Sequence, residues 1–309
     1  MTRARRTTKA LVAATLLLAL PLVPAASGRA TATTVAATIP TGGRACGIAS
    51  GFGFVWVTNY EENTLAKIDP VTNTVTATYP VDTQPCALTF ARGSLWVETG
   101  VGVLDRVADD GSVAQRIKVP RASYDVTLAA GSIWVTSHLG FVSRVSPANG
   151  VVKKTIRIPR SAPAGVLGTG RYVWVGEDPG KLLYRIDART NRVTTVKTGV
   201  SKPAWFAKSA DALWVAATGS NTVLRLDPVT GARRGKVAVG ASPIDPDLSG
   251  TDLWVPNNGA GTLSRVDTTN GTVTETITVG GQPAIALVVD GDVWVTCYLS
   301  KEVWRLHPG

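Results

Sequence analysis

The chain has 309 residues, among them 31 Gly and nine Trp but only five Phe and six Tyr. Its formal net charge is +10, from 32 Lys and Arg against 22 Asp and Glu. No stretch after the first 25 residues carries helical periodicity, which excludes a helical protein and points to an all-β chain long enough for a large core.

In chain order, the first feature is a basic start at Arg3, Arg5, Arg6 and Lys9, then an apolar run from Ala10 to Val23. Small residues follow at Ala25, Ala26, Ser27 and Gly28. Residues 1–28 therefore read as an export signal, and the run is too short and Pro-interrupted for a membrane span. The Arg5-Arg6 pair lacks the usual flanks of the twin-arginine route, so the general secretory route is expected. No Cys follows the run to carry a lipid. Residues 29–309 are expected as a secreted or extracytoplasmic monomer with no membrane span. Four of the 32 basic residues fall in the first nine positions, leaving 28 against 22 acids, or +6.

The rest of the chain is a repeat. A Trp-Val pair begins at Trp56, Trp96, Trp134, Trp174, Trp214, Trp254 and Trp294, with spacings of 40, 38, 40, 40, 40 and 40. Before each Trp lies a short apolar segment, often opened by Pro, as in Pro85-Cys86-Ala87-Leu88. A Gly or Asp turn leads into the Trp strand, then a polar loop, a strand such as Asn221 to Leu226, a turn such as Asp227-Pro228-Val229-Thr230-Gly231, and a Thr/Val strand. Four short strands separated by turns make a four-stranded antiparallel blade. Such a blade buries its faces only by radial stacking, so the pattern predicts a seven-bladed β-propeller with each Trp in the inter-blade core. The last repeat lacks its fourth strand. Residues 33–40, Thr33 to Pro40, match the fourth-strand pattern of Asn73 to Pro80, so the N-terminal strand is predicted to complete the last blade and remove an open edge.

The segments Val55-Trp56-Val57-Thr58-Asn59, Leu65 to Pro70 and Val75-Thr76-Ala77-Thr78 resemble the YVTN family of β-propeller repeats. The likeness covers nearly all of residues 29–309 and implies the same fold. The Gly-His and Trp-Asp marks of WD repeats are missing.

Ten or eleven residues after each Trp stands Lys67, Arg106, Arg144, Arg185, Arg225, Arg265 or Arg305. In four repeats an Asp follows two residues on, at Asp69, Asp187, Asp227 and Asp267. The spacing predicts solvent-facing cations beside carboxylates, spread round the ring. That spread argues against a nucleic-acid groove. Of the three cysteines, Cys46 and Cys86 stand ten residues before their Trp and Cys297 lies in the last repeat. Their spacing leaves a Cys46–Cys86 bridge, a Cys46–Cys297 bridge and buried thiols all open. No Cys/His cluster suggests zinc.

Positions that differ between repeats are the candidate site. Nine residues before the Trp, Asp125, Trp205 and Asp245 depart from small or apolar neighbours, with Tyr124 one place earlier. After the Trp strand, Tyr60, Glu98, His138, Glu177, Asp178, Asn258 and Tyr298 stand out. His138 and Glu177 are the candidate catalytic pair, and Tyr60, Glu98, Tyr124, Asp125, Asp178, Trp205, Asp245, Asn258 and Tyr298 the candidate ligand contacts. The Trp-containing repeat is also similar to that of streptogramin lyases, seven-bladed propellers that open a cyclic depsipeptide by metal-assisted elimination. That likeness implies a divalent metal held by His and Glu. The Glu of the lyase pattern stands here only at Glu177, and only His138 is placed to serve as its His. No cofactor is otherwise expected. The reading favoured is a non-catalytic binding or scaffold protein for a small molecule, peptide or envelope component. A metal-assisted lyase or hydrolase is the alternative.

Overall fold

Segments of five to seven residues with turns of a few residues between them pair most readily with their sequence neighbours, antiparallel. In blade 1, named like the others by the order of the marker tryptophans, they are Ala45–Gly51, Phe54–Asn59, Thr64–Asp69 and Thr74–Pro80. The two-residue turns Phe52-Gly53, Arg92-Gly93, Ala130-Gly131 and Asp290-Gly291 have positive φ at both positions, the turn geometry whose twist matches paired strands. The computed structural model describes residues 32–309, so the expected export segment lies outside the described residues. It is a seven-bladed β-propeller, each blade a four-stranded antiparallel sheet, in sequence order in six blades. The only helical piece among the described residues is the 3-10 turn Thr218–Ser220, so none is long enough to cross a membrane.

The last blade is the predicted composite. Pro283–Val289, Asp292–Cys297 and Glu302–His307 are joined on the outside by Thr34–Pro40. Ile39 pairs with Val303 and is buried, so the closing strand adds core as well as ladder.

All seven marker tryptophans are buried, and each packs onto the next blade. Trp96 meets Val126, Ile133 and Val135 of blade 3, and Trp294 meets Ile48, Val55 and Ile68 of blade 1 across the closure. Burying about 200 Å² of ring at about 25 cal/mol per Å² contributes roughly 5 kcal/mol per blade as an upper bound.

The third-strand cations differ from expectation. All are half-buried, and six of the seven lie over the marker rings: the Arg265 guanidinium is 5.3 Å from the Trp254 ring centre and Arg305 is 5.0 Å from that of Trp294, while Arg185 lies over Tyr172 instead, 4.5 Å from its ring centre. Three of them pair with a carboxylate just before the Trp, Arg225 with Asp211, Arg265 with Asp252 at 2.7 Å and Arg305 with Asp292 at 2.6 Å, while Arg106 and Arg144 bond the Ser94 and Ser132 hydroxyls there. The register sets Trp254 and Trp294 directly opposite Arg265 and Arg305, with Asp252 and Asp292 diagonally beside them on the same face, within reach of a long guanidinium side chain. The Asp two residues on folds its own turn instead: Asp69 accepts the Val71 N–H at 2.8 Å and Asp267 the Thr269 N–H at 2.7 Å. His307, in the equivalent place, bonds Asp292 at 2.7 Å.

Cys46 and Cys86 form a disulfide between blades 1 and 2, with Cα atoms 5.0 Å apart, and Cys297 is a buried thiol. First strands converge on the axis, which brings equivalent positions of neighbouring blades within bridging distance.

Candidate functional site

One backbone bond recurs in every blade. The N–H four residues after the Trp donates to the carbonyl twelve before it, from Tyr60 to Arg44, His138 to Ala122, Asp178 to Ala162 and Tyr298 to Gln282. It pins the loop after the Trp strand beside the entry to the first strand. Inside that entry the ladder slips: register breaks between Ala45 and Ile48, Pro85 and Leu88, and Ser123 and Val126, with the same slip in blades 4, 5 and 7. A bulge frees two residues from the ladder and re-aims them. In blade 3 these are Tyr124 and Asp125.

A threonine heals the slip. Thr58, Thr136 and Thr296, two residues after their Trp, each accept the freed N–H of their own blade, from Gly47, Asp125 and Ile285. Each hydroxyl then donates to the next blade, to Cys86 at 2.7 Å, Ala164 at 2.5 Å and Cys46 at 2.8 Å. In blade 4 the position is Gly176, where a Cβ would sit 2.1 Å from the Ala204 carbonyl. In blade 2 it is Glu98.

These devices assemble a face at the channel mouth. Tyr124 stacks on His138 with ring centres 3.9 Å apart at 30°, and Trp205 lies 5.6 Å from Tyr124. Tyr60 and Tyr298 form a second pair at 6.0 Å, with Arg44 5.3 Å from the Tyr298 ring centre. Asp178 pairs with Lys202 at 3.0 Å. Burial lowers the His138 pKa while Asp178 opposes the drop, so the imidazole is neutral at pH 7 and its buried Nε2 has no partner among the described residues. Burial, with the charges of Asp178, Asp125 and Glu98, pushes the Tyr124 phenol up to about 12.

Below the face, the first strands of all seven blades line a channel cavity of about 220 Å³. Its walls are mostly apolar, including Ile48, Val166, Phe206 and Ile285, yet Asp125, Asp245 and Asp247 all reach it. These carboxylates are crowded by protein yet keep part of their surface open to the channel. Burial pushes Asp125 up to about 7, although it accepts the Val126 and Val166 N–H groups at 2.7 Å each. Asp247 repeats the device, accepting Leu248 and Val288 at 2.8 Å, and burial raises it too. The Asp245 carboxylate accepts no hydrogen bond among the described residues, its backbone carbonyl alone taking the Ala286 N–H, and burial, with the charges of Asp125 and Asp247, raises it well above the usual range. Glu98, 1% exposed, is pushed up to about 8 by burial, with Asp125 adding to the rise and Ser123 and the Ala87 N–H opposing it; its Oε1 has no partner. No Lys or Arg offsets any of these four.

The fold is shared with virginiamycin B lyase. The chain is similar to the selenomethionine-substituted Staphylococcus aureus enzyme, with a TM-score of 0.79, 21% identity, and coverage of 89% of this chain and 99% of that one. It is likewise similar to the catalytically inactive histidine-to-alanine form of that enzyme with quinupristin, with a TM-score of 0.78, 19% identity and the same coverage. No family model matches the sequence, and no curated protein matches it. The likeness to YVTN repeats rests on the quoted residues alone.

A metal of the kind the lyase likeness implies does not fit the residues here. Among the described residues no group of three His, Cys, Asp or Glu is arranged to hold an ion. Glu177, paired with His138 from sequence, is spent on its own loop: it accepts the Lys181 N–H at 3.0 Å, the Leu182 N–H at 3.1 Å and the Tyr184 hydroxyl at 3.1 Å. Gly180 admits it, since a Cβ there would stand 1.8 Å from Glu177 Oε2. The charge His138 feels is that of Asp178. Asn258 is also turned to structure, donating to the Pro283 carbonyl of blade 7 at 3.1 Å.

Of the remaining candidates, Tyr124, His138, Trp205, Asp178, Glu98 and Asp125 gather in one neighbourhood, Tyr60 and Tyr298 border it, and Asp245 lies in the channel. Asp247 was missed. Its signal lies in the spacing, since residues two apart along a strand share a face and Asp245 is itself a candidate. Pro246 between them supplies no N–H, and the first strand of blade 6 shrinks to Asp247–Ser249.

Proposed function

We propose that this chain is an exported, non-catalytic binding protein whose ligand sits on the central face over the channel. The observation that carries the reading is the stack of Tyr124, His138 and Trp205 standing over buried carboxylates that lack a cationic partner. Aromatic faces offer apolar area and attract cations, and raised carboxylates favour a positive charge brought to them. The ligand class this suits is a small molecule with a flat or apolar body and an ammonium group. Calorimetry with phenethylamine and with phenylpropionate tests it. The amine should bind with proton release, seen as a heat that depends on the buffer, and His138→Ala and Trp205→Ala should each weaken it about tenfold or more. Equal binding of both probes, or amine binding indifferent to both variants, sinks the proposal.

A second reading, a lyase, is favoured by the shared fold and by the unpartnered His138 Nε2. Incubating the chain with quinupristin, with and without a divalent metal, separates the two. Ring opening that disappears in His138→Ala would replace the binding reading.

A further inference from the structure

On the outer strands of this propeller, exposed positive charge is confined to four consecutive blades. The fourth strand of each blade forms the outer edge, because the first lines the channel and the sheets run in sequence order. In blades 2 to 5 those strands are Val113–Lys118, Val152–Arg157, Arg192–Lys197 and Arg233–Ala238. Together they carry ten Lys and Arg, every one exposed, and no acid. The equivalent strands of blades 1, 6 and 7, Thr74–Pro80, Thr272–Thr278 and Thr34–Pro40, carry no Lys or Arg and one acid, Glu275. The even spread expected from the third-strand cations is therefore corrected at the surface, where those cations are half-buried over tryptophans.

Lysine and arginine on edge strands also serve to deter sheet-to-sheet aggregation. That role applies equally to seven equivalent edges and does not explain three of them having no cation. Nor is internal pairing the reason. Arg116 lies 3.6 Å from Asp105, and Arg234 pairs with Asp227, but the other eight make no ion pair among the described residues.

We propose that the outer strands of blades 2 to 5 form a binding rim for a flexible, linear, phosphate-bearing polymer of the cell envelope. Three observations select that partner. The charges are spread over four consecutive blades of a convex wall, which a flexible chain follows and a flat membrane touches only locally. The four strands contain no aromatic residue, so they offer no platform on which the bases of a single-stranded nucleic acid stack. Stiff duplex DNA cannot bend round a wall of this size without a large elastic cost. The rim is separate from the channel face, so either proposal can fail without the other.

The test titrates labelled inorganic polyphosphate into the full chain at 50 and 200 mM salt. If the eight unpaired cations engage, releasing about 0.7 counterion per contact, affinity falls roughly 10³-fold over that range. Lys153→Gln with Lys154→Gln and Arg157→Gln should lower the slope of log affinity on log salt by about 2. Arg233→Gln with Lys236→Gln should lower it by about 1.4, which keeps the test open if the first variant folds poorly. Lys301→Gln, away from these strands, should leave it unchanged. Single-stranded oligothymidine of equal charge should bind no better than polyphosphate, and duplex DNA and anionic phosphatidylglycerol vesicles should bind more weakly. No binding at 50 mM salt, or a slope unmoved by both rim variants, overturns the proposal. So does a clear preference for oligothymidine, which would make the partner a nucleic acid, or for vesicles, which would make it a membrane.

Discussion

Replacing Glu98 by Gln should stabilise the protein, and by an amount that grows with pH. Glu98 stands where three other blades use a buried Thr, and burial lifts its pKa from the ordinary 4.5 to about 8. A carboxyl raised in the folded state keeps a proton that the unfolded chain gives up. Its contribution is therefore fully present below about pH 4.5, is lost as pH rises through about 8, and is flat above that. At pH 7 the penalty is about 3 kcal/mol, and at pH 5 it is below about 1 kcal/mol. Gln has nearly the same shape and does not titrate. Asp125, Asp245 and Asp247 titrate in both proteins and cancel in the comparison to first order. Urea unfolding of both proteins at pH 5, 6, 7, 8 and 9 should show the gap widening by about 2.5 kcal/mol between pH 5 and 7 and levelling off near 8–9. Glu98→Thr, which copies blades 1, 3 and 7, should follow the same trend. A gap that stays constant from pH 5 to 9 would show that Glu98 ionises normally in the folded protein and would refute the burial argument.

Other outcomes follow from the frame. Cys46→Ser should cost about 4 kcal/mol in denaturant melts, the loop entropy released when a bridge spanning 40 residues is opened, and reductant should then have no further effect. Deleting residues 29–40 removes the closing strand and buried Ile39, and should lower the melting temperature by about 10 °C or more; an unchanged value would mean that the ring closes without it. Thr136→Val leaves the Asp125 N–H and the Ala164 carbonyl unpaired between blades 3 and 4 and should cost about 1–3 kcal/mol, whereas the exposed Thr76→Val should cost less than about 0.5 kcal/mol.

The architecture was legible in the sequence because it repeats. One Trp-Val pair every 38 to 40 residues fixes blade count, and turn residues between short alternating strands fix antiparallel order. The missing strand after Leu306 and its match at Thr34–Pro40 reveal the closure. The same repetition separated frame from site, since Tyr124, His138 and Trp205 stood out as departures and now lie in one cluster. Tertiary structure decided the rest. Glu177 and Asp178 are neighbours in sequence, but a strand turns successive side chains to opposite sides, and the loop takes Glu177 for its backbone while Asp178 reaches the face. The third-strand cations read as solvent-facing beside the Asp two residues on, because nothing in a linear pattern shows the ring of Trp254 beneath Arg265. Cys46 found Cys86 because blades converge at the axis, a distance set by the radius of the ring. Local pattern determines which strands form and where a blade begins. Only closure of the seven blades determines which side chains share the channel, which carboxylates lose water there, and which cations are left on the outer rim.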